Sequence, residues 1–317
     1  MLSKTILQFL FISLPCTVYS QPNTEQLISS MEALEVPPIS IPFTNTIEVN
    51  NSGGHLQGIQ CLRYNQNNYY ILSGSSSEYA YYSIVKTGNA NMVISVNKLL
   101  DKPFKHAGGF QIQQNLMAIG VEDNEAKNVS KVFIFHITNP EKPPQHPLAI
   151  IDRRGTFKRA TAGCVGIVTL KGKVLVVVGD WDTEHLDFYR IDEDKLFEEG
   201  AILELEYSIN TKTLDKSSWV DENWLSYQNI NFILDQDETL FLAGMTSNGL
   251  DEVVDMYQVE SADLSSFKIQ KIKSRKFPSN ENTKFRWGAG IFVSGKGLQI
   301  IATPENIHEQ TTLHIYE

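Results

Sequence analysis

Short apolar runs that alternate with polar residues fill most of the chain, and they predict an all-β protein. A helical pattern occurs only at residues 24–34, before the break at Pro37 and Pro38. Clusters of turn residues separate the apolar runs along the rest of the chain. The pattern therefore predicts one short helix followed by many short strands.

One order of strands recurs five times. A strand rich in small residues comes first, a strand of four or five apolar residues comes second, and an aromatic-rich strand comes third. A fourth strand follows in the first four repeats. Four antiparallel strands repeated in this way are typical of the blades of a β-propeller. The second strands end at Gly74, Gly120, Gly179, Gly244 and Ala302.

The fifth repeat stops after its third strand. We expect residues 39–49 to supply the missing strand, because they would cover two exposed edges at once. The predicted fold is all-β, a five-bladed β-propeller of four-stranded blades whose last blade is closed by an N-terminal strand. The alternative is a β-sandwich or two stacked β domains, in which the strands resemble one another by chance.

The first twenty residues have the pattern of an export signal. Lys4 precedes an apolar run at residues 6–14, Pro15 ends it, and small residues stand before Gln21. The run is too short to span a bilayer. We predict a signal peptide at residues 1–20, an N-terminal segment at 21–38 and one propeller domain at 39–317. An uncleaved membrane anchor and a buried helix are the alternatives.

The chain is acidic, with 27 Lys and Arg against 37 Asp and Glu and a formal charge of −10. Removing residues 1–20 takes away Lys4 and no acid, so the remainder is more negative still. This balance argues against nucleic acid and anionic lipid as partners. We expect a secreted monomer, extracellular or periplasmic, with no membrane span after signal removal.

Cysteine is too rare for a disulfide scaffold, with 3 in the whole chain. Cys16 falls in the predicted signal. Cys61 and Cys164 fall on the first strands of blades one and three, which are not neighbours in a ring of five. Their Cα atoms would lie beyond the roughly 7 Å limit for a disulfide, so we predict two free, buried thiols.

A family resemblance is clear in one repeat, at residues 106–140. It contains HAGGFQ at 106–111, LMAIGVED at 116–123 and KVFIFHITNP at 131–140. This repeat resembles blades of exported, largely uncharacterised β-propeller proteins, although Ala107 stands where those often have Pro. The resemblance implies the fold and export, and no particular reaction.

Candidate site residues come from two kinds of position that share one face of a propeller. These are the starts of the inner strands and the loops after the second strands. Their mixed charges suit a polar small molecule or a glycan. The alternative is that the groups pair with one another and with water. The predicted ligand-binding residues at this channel mouth are His55, His106, Glu122, Asp123, Arg159, Asp180, Asp182 and Arg286.

Residues 180–185 (DWDTEH) are the densest local polar cluster. Alternate carboxylates could hold Ca²⁺, but His185 and Ile191 stand where an EF-hand requires Gly and Glu. Zinc-type His spacings are absent. We expect a solvated turn, no metal site and no cofactor, with a Ca²⁺ ion as the alternative.

Two functions of different classes fit the sequence. We favour a secreted, non-enzymatic binding or scaffold protein with one polar site, because nucleophile-elbow and phosphate-loop motifs are absent. The alternative is an extracellular carbohydrate-active hydrolase or lyase. Glu122, Asp123 or Asp180 would then be the acid or base, with His106 as partner. The fold alone does not choose between them, since propellers support both.

The longest stretch without a strand pattern is residues 210–228. Trp219 and Trp224 within it could form a lid over one face, or they could anchor the loop to the body.

Overall fold

The computed structural model describes residues 21–279, 283–295 and 297–317. The predicted export signal at 1–20 lies outside the described residues. The described chain forms the helix α1 (Thr24–Ala33) and twenty β-strands. In chain order these strands are β1 (Ile39–Thr44), β2 (Leu56–Tyr64), β3 (Asn67–Ser75), β4 (Tyr79–Lys86), β5 (Met92–Asp101), β6 (His106–Gln113), β7 (Leu116–Glu122), β8 (Val129–His136), β9 (Ala149–Arg154), β10 (Cys164–Leu170), β11 (Lys173–Gly179), β12 (His185–Asp192), β13 (Glu204–Asn210), β14 (Asn229–Leu234), β15 (Leu240–Ser247), β16 (Asp251–Glu260), β17 (Lys268–Pro278), β18 (Ala289–Ser294), β19 (Gly297–Ala302) and β20 (Gln310–Tyr316).

The predicted helix is confirmed as α1. Its start is fixed by a capping box, in which the Asn23 side chain accepts from the Gln26 backbone and the Gln26 side chain accepts from the Asn23 backbone, both at 2.9 Å. Leu27 and Met31 bury one face of the helix in a core cluster with Ile300. Among the described residues, no helix is long and apolar enough to cross a membrane.

The strands form antiparallel sheets of four, each paired in chain order. The first four sheets are β2 to β5, β6 to β9, β10 to β13 and β14 to β17. The fifth combines β18, β19 and β20 with β1. These pairings confirm the predicted strand order within each repeat.

The strand β1 closes the last sheet, as the sequence predicts. It runs antiparallel to β20, from Ile39 opposite Ile315 to Thr44 opposite Gln310. It ends at Thr44, which is shorter than the predicted segment of 39–49. Phe43 is 1% exposed and packs in a core cluster of the first and last sheets. The closure is therefore both hydrogen-bonded and apolar.

The first strands of the five sheets, β2, β6, β10, β14 and β18, are the inner strands. Each contacts the next in this order, and β18 contacts β2, so the contacts form a closed ring. Their backbones approach closely, since a Cβ added to Gly109 would lie 2.3 Å from the carbonyl oxygen of Gln228. The small residues of the predicted first strands are explained by this crowding.

Amide side chains fill the centre between the inner strands. Gln111 donates to the Phe232 carbonyl at 2.7 Å and accepts from the N–H groups of Ile167 at 2.9 Å and Phe232 at 2.8 Å. Asn231 accepts from the Ile291 N–H at 3.0 Å. These bonds join strands of different sheets and satisfy buried backbone groups. We call Gln57, Gln60, Gln111, Asn229 and Asn231 the central amide cluster.

Cys61 and Cys164 are both free and buried, which confirms the prediction for these two residues. Burial raises the pKa of Cys61 to about 12 and also raises the pKa of Cys164 well above its usual range. Both groups are therefore protonated thiols at neutral pH, with little nucleophilic character.

Candidate functional site

Several of the predicted residues lie together where the inner strands begin, an end of the molecule that we call the mouth. Burial lowers the pKa of His55, and a hydrogen bond with the Leu56 backbone raises it. The charges of His106 and Arg286 also lower this pKa, whereas Glu305 raises it. Groups from three different sheets are thus close enough to act on one another electrostatically.

His106 and Glu122 form the central pair of the mouth. The Nδ1 atom of His106 lies 3.4 Å from Oε1 of Glu122, whose side chain is 0% exposed. The other oxygen, Oε2, accepts from the Ala162 N–H at 2.7 Å. In the described structure neither His106 Nδ1 nor Glu122 Oε1 has a hydrogen-bond partner. Buried polar atoms without partners are uncommon and often mark functional sites.

Asp180 is held by the turn that follows it. Its oxygens bind the backbone N–H of His185 at 2.8 Å and the Nδ1 atom of the same residue at 2.7 Å. Arg159 lies 4.0 Å away. Burial raises the pKa of Asp180, and the interactions with His185 and Arg159 oppose this rise. Its partner His185 was noted in the sequence only as part of a solvated turn.

Arg159 makes its main contacts with Asp187, which the sequence analysis did not single out. The guanidinium binds both Asp187 oxygens at 2.6 Å. Arg153 donates to the same carboxylate at 2.7 Å and Ser208 at 2.5 Å. Asp187 lies inside an aromatic-rich strand, where alternation alone predicts an ordinary strand position.

Asp182 joins two distant loops, and Asp123 orders a local turn. Asp182, at a φ of 63°, lies 3.1 Å from the Lys158 ammonium and accepts from Ser226 at 3.1 Å. Asp123 accepts from two backbone N–H groups of the turn that follows, at 2.9 and 3.0 Å. These contacts are those expected from the self-pairing alternative. Ligand binding by these residues stays a prediction.

Two amides lie at the centre of the mouth: Gln57, which the sequence analysis did not single out, and Gln228, which precedes the inner strand β14 on the predicted face. Gln228 donates to the side-chain oxygen of Gln57 at 2.8 Å, and Gln57 lies 3.3 Å from both ring nitrogens of His55. The position of Gln57 at the start of β2 was the available signal. The inner strands themselves contain no Asp or Glu, so the carboxylates of the mouth come from the turns and the ends of second strands.

The structure gives no cluster for a metal among the residues it describes, where no group of three or more His, Cys, Asp and Glu could hold an ion. At residues 180–185, both oxygens of Asp180 already bind His185. The Ca²⁺ hypothesis for this cluster has no support from its geometry.

The segment between β13 and β14 is anchored to the body, which was one of the two interpretations of its tryptophans. Trp224 donates to the Thr183 carbonyl at 2.9 Å. Trp219 is 8% exposed, and its ring packs edge-on against Tyr257 with 5.4 Å between centroids. The two indoles are packing groups in this arrangement.

No protein-family model and no curated protein sequence matches the chain. Among solved structures, a GH43_1 enzyme from Xanthomonas citri complexed with xylotriose is similar, with a TM-score of 0.50, 10% identity and 92% of each chain covered. Another structure of a GH43_1 enzyme from this organism has a TM-score of 0.50 at 9% identity, with 92% of each chain covered. An α-L-arabinofuranosidase from Podospora anserina in complex with cellotriose has a TM-score of 0.47 at 10% identity, covering 87% of this chain and 96% of that one.

The likeness to the Xanthomonas citri structures extends over nearly the whole of both chains, and at this identity it shows the fold. The fold is an all-β propeller, which confirms the expected fold class. The resemblance to largely uncharacterised proteins needs correction, because the solved structures of similar fold include a GH43_1 enzyme.

Proposed function

We propose that the protein binds an extracellular carbohydrate at the mouth. The observation that carries this proposal is the pair of His106 and Glu122, whose facing atoms are buried without hydrogen-bond partners 3.4 Å apart. The partly buried His55 and His106 and the exposed Arg286 present polar groups around this buried pair, and such groups suit the hydroxyl groups of a sugar. The likeness to a hydrolase fold solved with xylotriose supports a carbohydrate-directed role over the scaffold role favoured from the sequence.

Hydrolysis of the bound carbohydrate is the second candidate, and the glycoside-hydrolase likeness favours it. Glu122 is the carboxylate we assign to this reaction, because one of its oxygens has no donor. Burial raises the pKa of Asp180, which is the direction that a general acid requires. Against this candidate, Glu122 is fully buried and the inner strands carry no carboxylate.

We also infer that the propeller has five blades. The support is the pairing of strands into five sheets of four and the closed ring of contacts among β2, β6, β10, β14 and β18. Export after cleavage before Gln21, and a monomeric state, remain proposals from the sequence.

A titration with neutral and acidic oligosaccharides, including xylotriose, tests binding at the mouth. We expect His106→Gln and Arg286→Gln to weaken binding at least tenfold. Arg154→Gln is the control, because Arg154 is also exposed but lies on the outer strand β9. Equal affinity in all four proteins, or no binding to any oligosaccharide of the panel, would refute the site.

The hydrolysis candidate has a matched pair of variants. Glu252 is fully buried like Glu122, and it also binds a backbone N–H, that of Phe285, at 2.7 Å. If Glu122 is catalytic, Glu122→Gln lowers kcat by about 10²-fold or more while binding persists, and Glu252→Gln leaves kcat unchanged. Similar losses of kcat in both variants would indicate that Glu122 has a structural role. If the wild-type protein hydrolyses no substrate, the hydrolysis candidate is refuted and carbohydrate binding remains as the proposed function.

A further inference from the structure

A second cavity, the axial pocket, opens at the opposite end of the inner strands from the mouth. Its volume is about 380 Å³, within the range of small-molecule sites. All five inner strands contribute to its wall, through residues such as Arg63, Gln113, Val168, Phe232 and Phe292. It is therefore a central feature of the propeller, and none of the residues predicted for the mouth lines it.

The central amide cluster separates the axial pocket from the mouth. Gln111 lines the pocket and bonds to backbone groups of two other sheets. Gln60 donates to Asn231 across the centre at 3.0 Å, and both side chains are buried. A ligand in the pocket would thus enter from one side only and would not reach the mouth.

Arg63 gives the pocket its charge. Its Nε atom donates to Asn68 at 3.3 Å, and its guanidinium carbon lies 4.8 Å from the centre of the Phe292 ring. These contacts orient the guanidinium through Nε and its flat face, and no described residue accepts a hydrogen bond from its two terminal nitrogens. The described residues that line the pocket include no Asp and no Glu, so the cation has no internal counter-ion.

Gln113 adds a hydrogen-bond donor. Its side-chain oxygen accepts from the Thr169 N–H at 3.2 Å, which turns the oxygen to the protein and leaves the NH₂ group without a described acceptor. Val168, Phe232 and Ile291 supply apolar wall around these donors. A fixed cation, an amide donor and apolar walls together select a ligand with one negative charge, acceptor oxygens and a compact body.

We propose that the axial pocket binds a small organic monocarboxylate. The carboxylate pairs with the terminal nitrogens of Arg63, and a hydroxyl or carbonyl oxygen accepts from Gln113. A sugar acid and a phenolic acid share this chemistry. The site is separate from the mouth, so this inference does not depend on the proposed carbohydrate binding there.

Calorimetry on the whole protein, with two pairs of probe molecules, tests the pocket. The pairs are D-glucuronate with D-glucose, and 4-hydroxybenzoate with 4-hydroxybenzyl alcohol. We expect at least one acid to bind at least tenfold more tightly than its neutral partner, with an affinity that falls as salt is added. The acid that binds better identifies the source of the carboxylate as sugar or phenol.

Variants place the binding within the molecule. Arg63→Gln, an exposed position whose change leaves the core intact, should weaken the acid at least tenfold. Arg154→Gln and the mouth variant Arg286→Gln should leave its affinity unchanged. The proposal is overturned if neither acid binds at millimolar concentration, if acetate binds as well as the better acid, or if Arg63→Gln has no effect. Loss of acid binding in Arg286→Gln would overturn it as well, since binding would then belong to the mouth.

Discussion

Asp180 and Asp187 are both almost fully buried near the mouth, yet their pKa values move in opposite directions. Burial raises the pKa of Asp180 and outweighs its contacts with His185. Burial also acts to raise the pKa of Asp187, but the ion pairs with Arg159 and Arg153 hold that pKa below its usual range. One carboxylate is thus costly when ionised, and the other is stabilising when ionised.

We expect Asp187→Asn to lower the free energy of unfolding by about 3–5 kcal/mol at pH 7, because it leaves the buried guanidinium of Arg153 and the partly buried one of Arg159 without their carboxylate. A carboxylate whose pKa is depressed in the folded state stabilises that state at pH values above the ordinary Asp pKa of about 3.9. This stabilisation is lost as the pH falls through the folded-state pKa. The difference between variant and wild type should therefore shrink in acid. Urea unfolding at pH 7 and at pH 3 measures it.

Asp180→Asn is the matched comparison. A carboxyl group whose pKa is raised in the folded state stabilises that state more as the pH falls. At pH 7 the ionised Asp180 is more favourable in the unfolded chain than in the folded protein, so this side chain lowers the free energy of unfolding there. We expect Asp180→Asn to cost much less than Asp187→Asn at pH 7. Equal costs for the two variants, unchanged between the two pH values, would contradict these assignments.

Among the elements, β1 is the one whose attachment is easiest to measure. Ile39, Ile41 and Phe43 share one face of the strand, and burial on that face increases toward its end, with Ile39 51% exposed and Phe43 1% exposed. Both residues pair with β20, opposite Ile315 and Thr311. The backbone bonds are the same in kind at the two positions, and the packing differs.

We expect Phe43→Ala to lower the free energy of unfolding by about 3–5 kcal/mol, because it removes a buried aromatic ring and leaves a cavity. Ile39→Ala should cost less than about 1 kcal/mol, since its side chain is half exposed. Urea unfolding of the two variants makes the comparison. Similar small losses for both would mean that β1 is held by its backbone alone.

The elements were largely predictable from the sequence, because period-two alternation and recurring small residues are local signals. Gly179 and Ala302 end second strands as expected, and the segment at residue 39 closes the last sheet. The other three second strands run one to three residues past the predicted Gly74, Gly120 and Gly244. The end of β1 at Thr44 was missed, since apolar residues continue to Val49 beyond the last paired residue.

The site was less predictable, because its contacts join residues that are distant in sequence. His106 and Glu122 were found from their positions at strand ends. Asp187 was not found, because its partner Arg159 approaches across a long loop. Gln111 was not found either, since an amide in a strand pattern gives no sign that it will reach another sheet.

At the scale of the whole molecule, the central amide cluster joins the sheets. The inner strands of neighbouring sheets lack a continuous ladder of backbone bonds, and in the second and third sheets only the pair Cys164 and Gly109 bridges them. The amide side chains supply hydrogen bonds between the inner strands in place of such a ladder. Gln111, for example, bonds to β10 and β14, and these bonds hold the ring of strands together at its centre.

We expect Gln111→Leu to lower the free energy of unfolding by about 3–6 kcal/mol. The reason is that the buried N–H of Ile167 and the buried N–H and carbonyl of Phe232 would lose their hydrogen-bond partner. Gln145→Leu, at an exposed position, should change it by less than about 0.5 kcal/mol. Chemical unfolding of both variants provides the test. A loss of under 1 kcal/mol for Gln111→Leu would show that the centre is held by other contacts.

The seam between β1 and β20 also fixes the moment in protein synthesis at which the molecule can be completed. The ribosome makes β1 before every other described strand and β20 after them, so β1 waits for its partner while the four sheets between them are made. Pairing between such distant segments is slow, because the chain must first lose the entropy of closing a long loop. A nascent chain that stops before Gln310 would carry open strand edges, which are sites of association with other chains. Chaperone binding during synthesis would therefore matter most up to the release of the last strand.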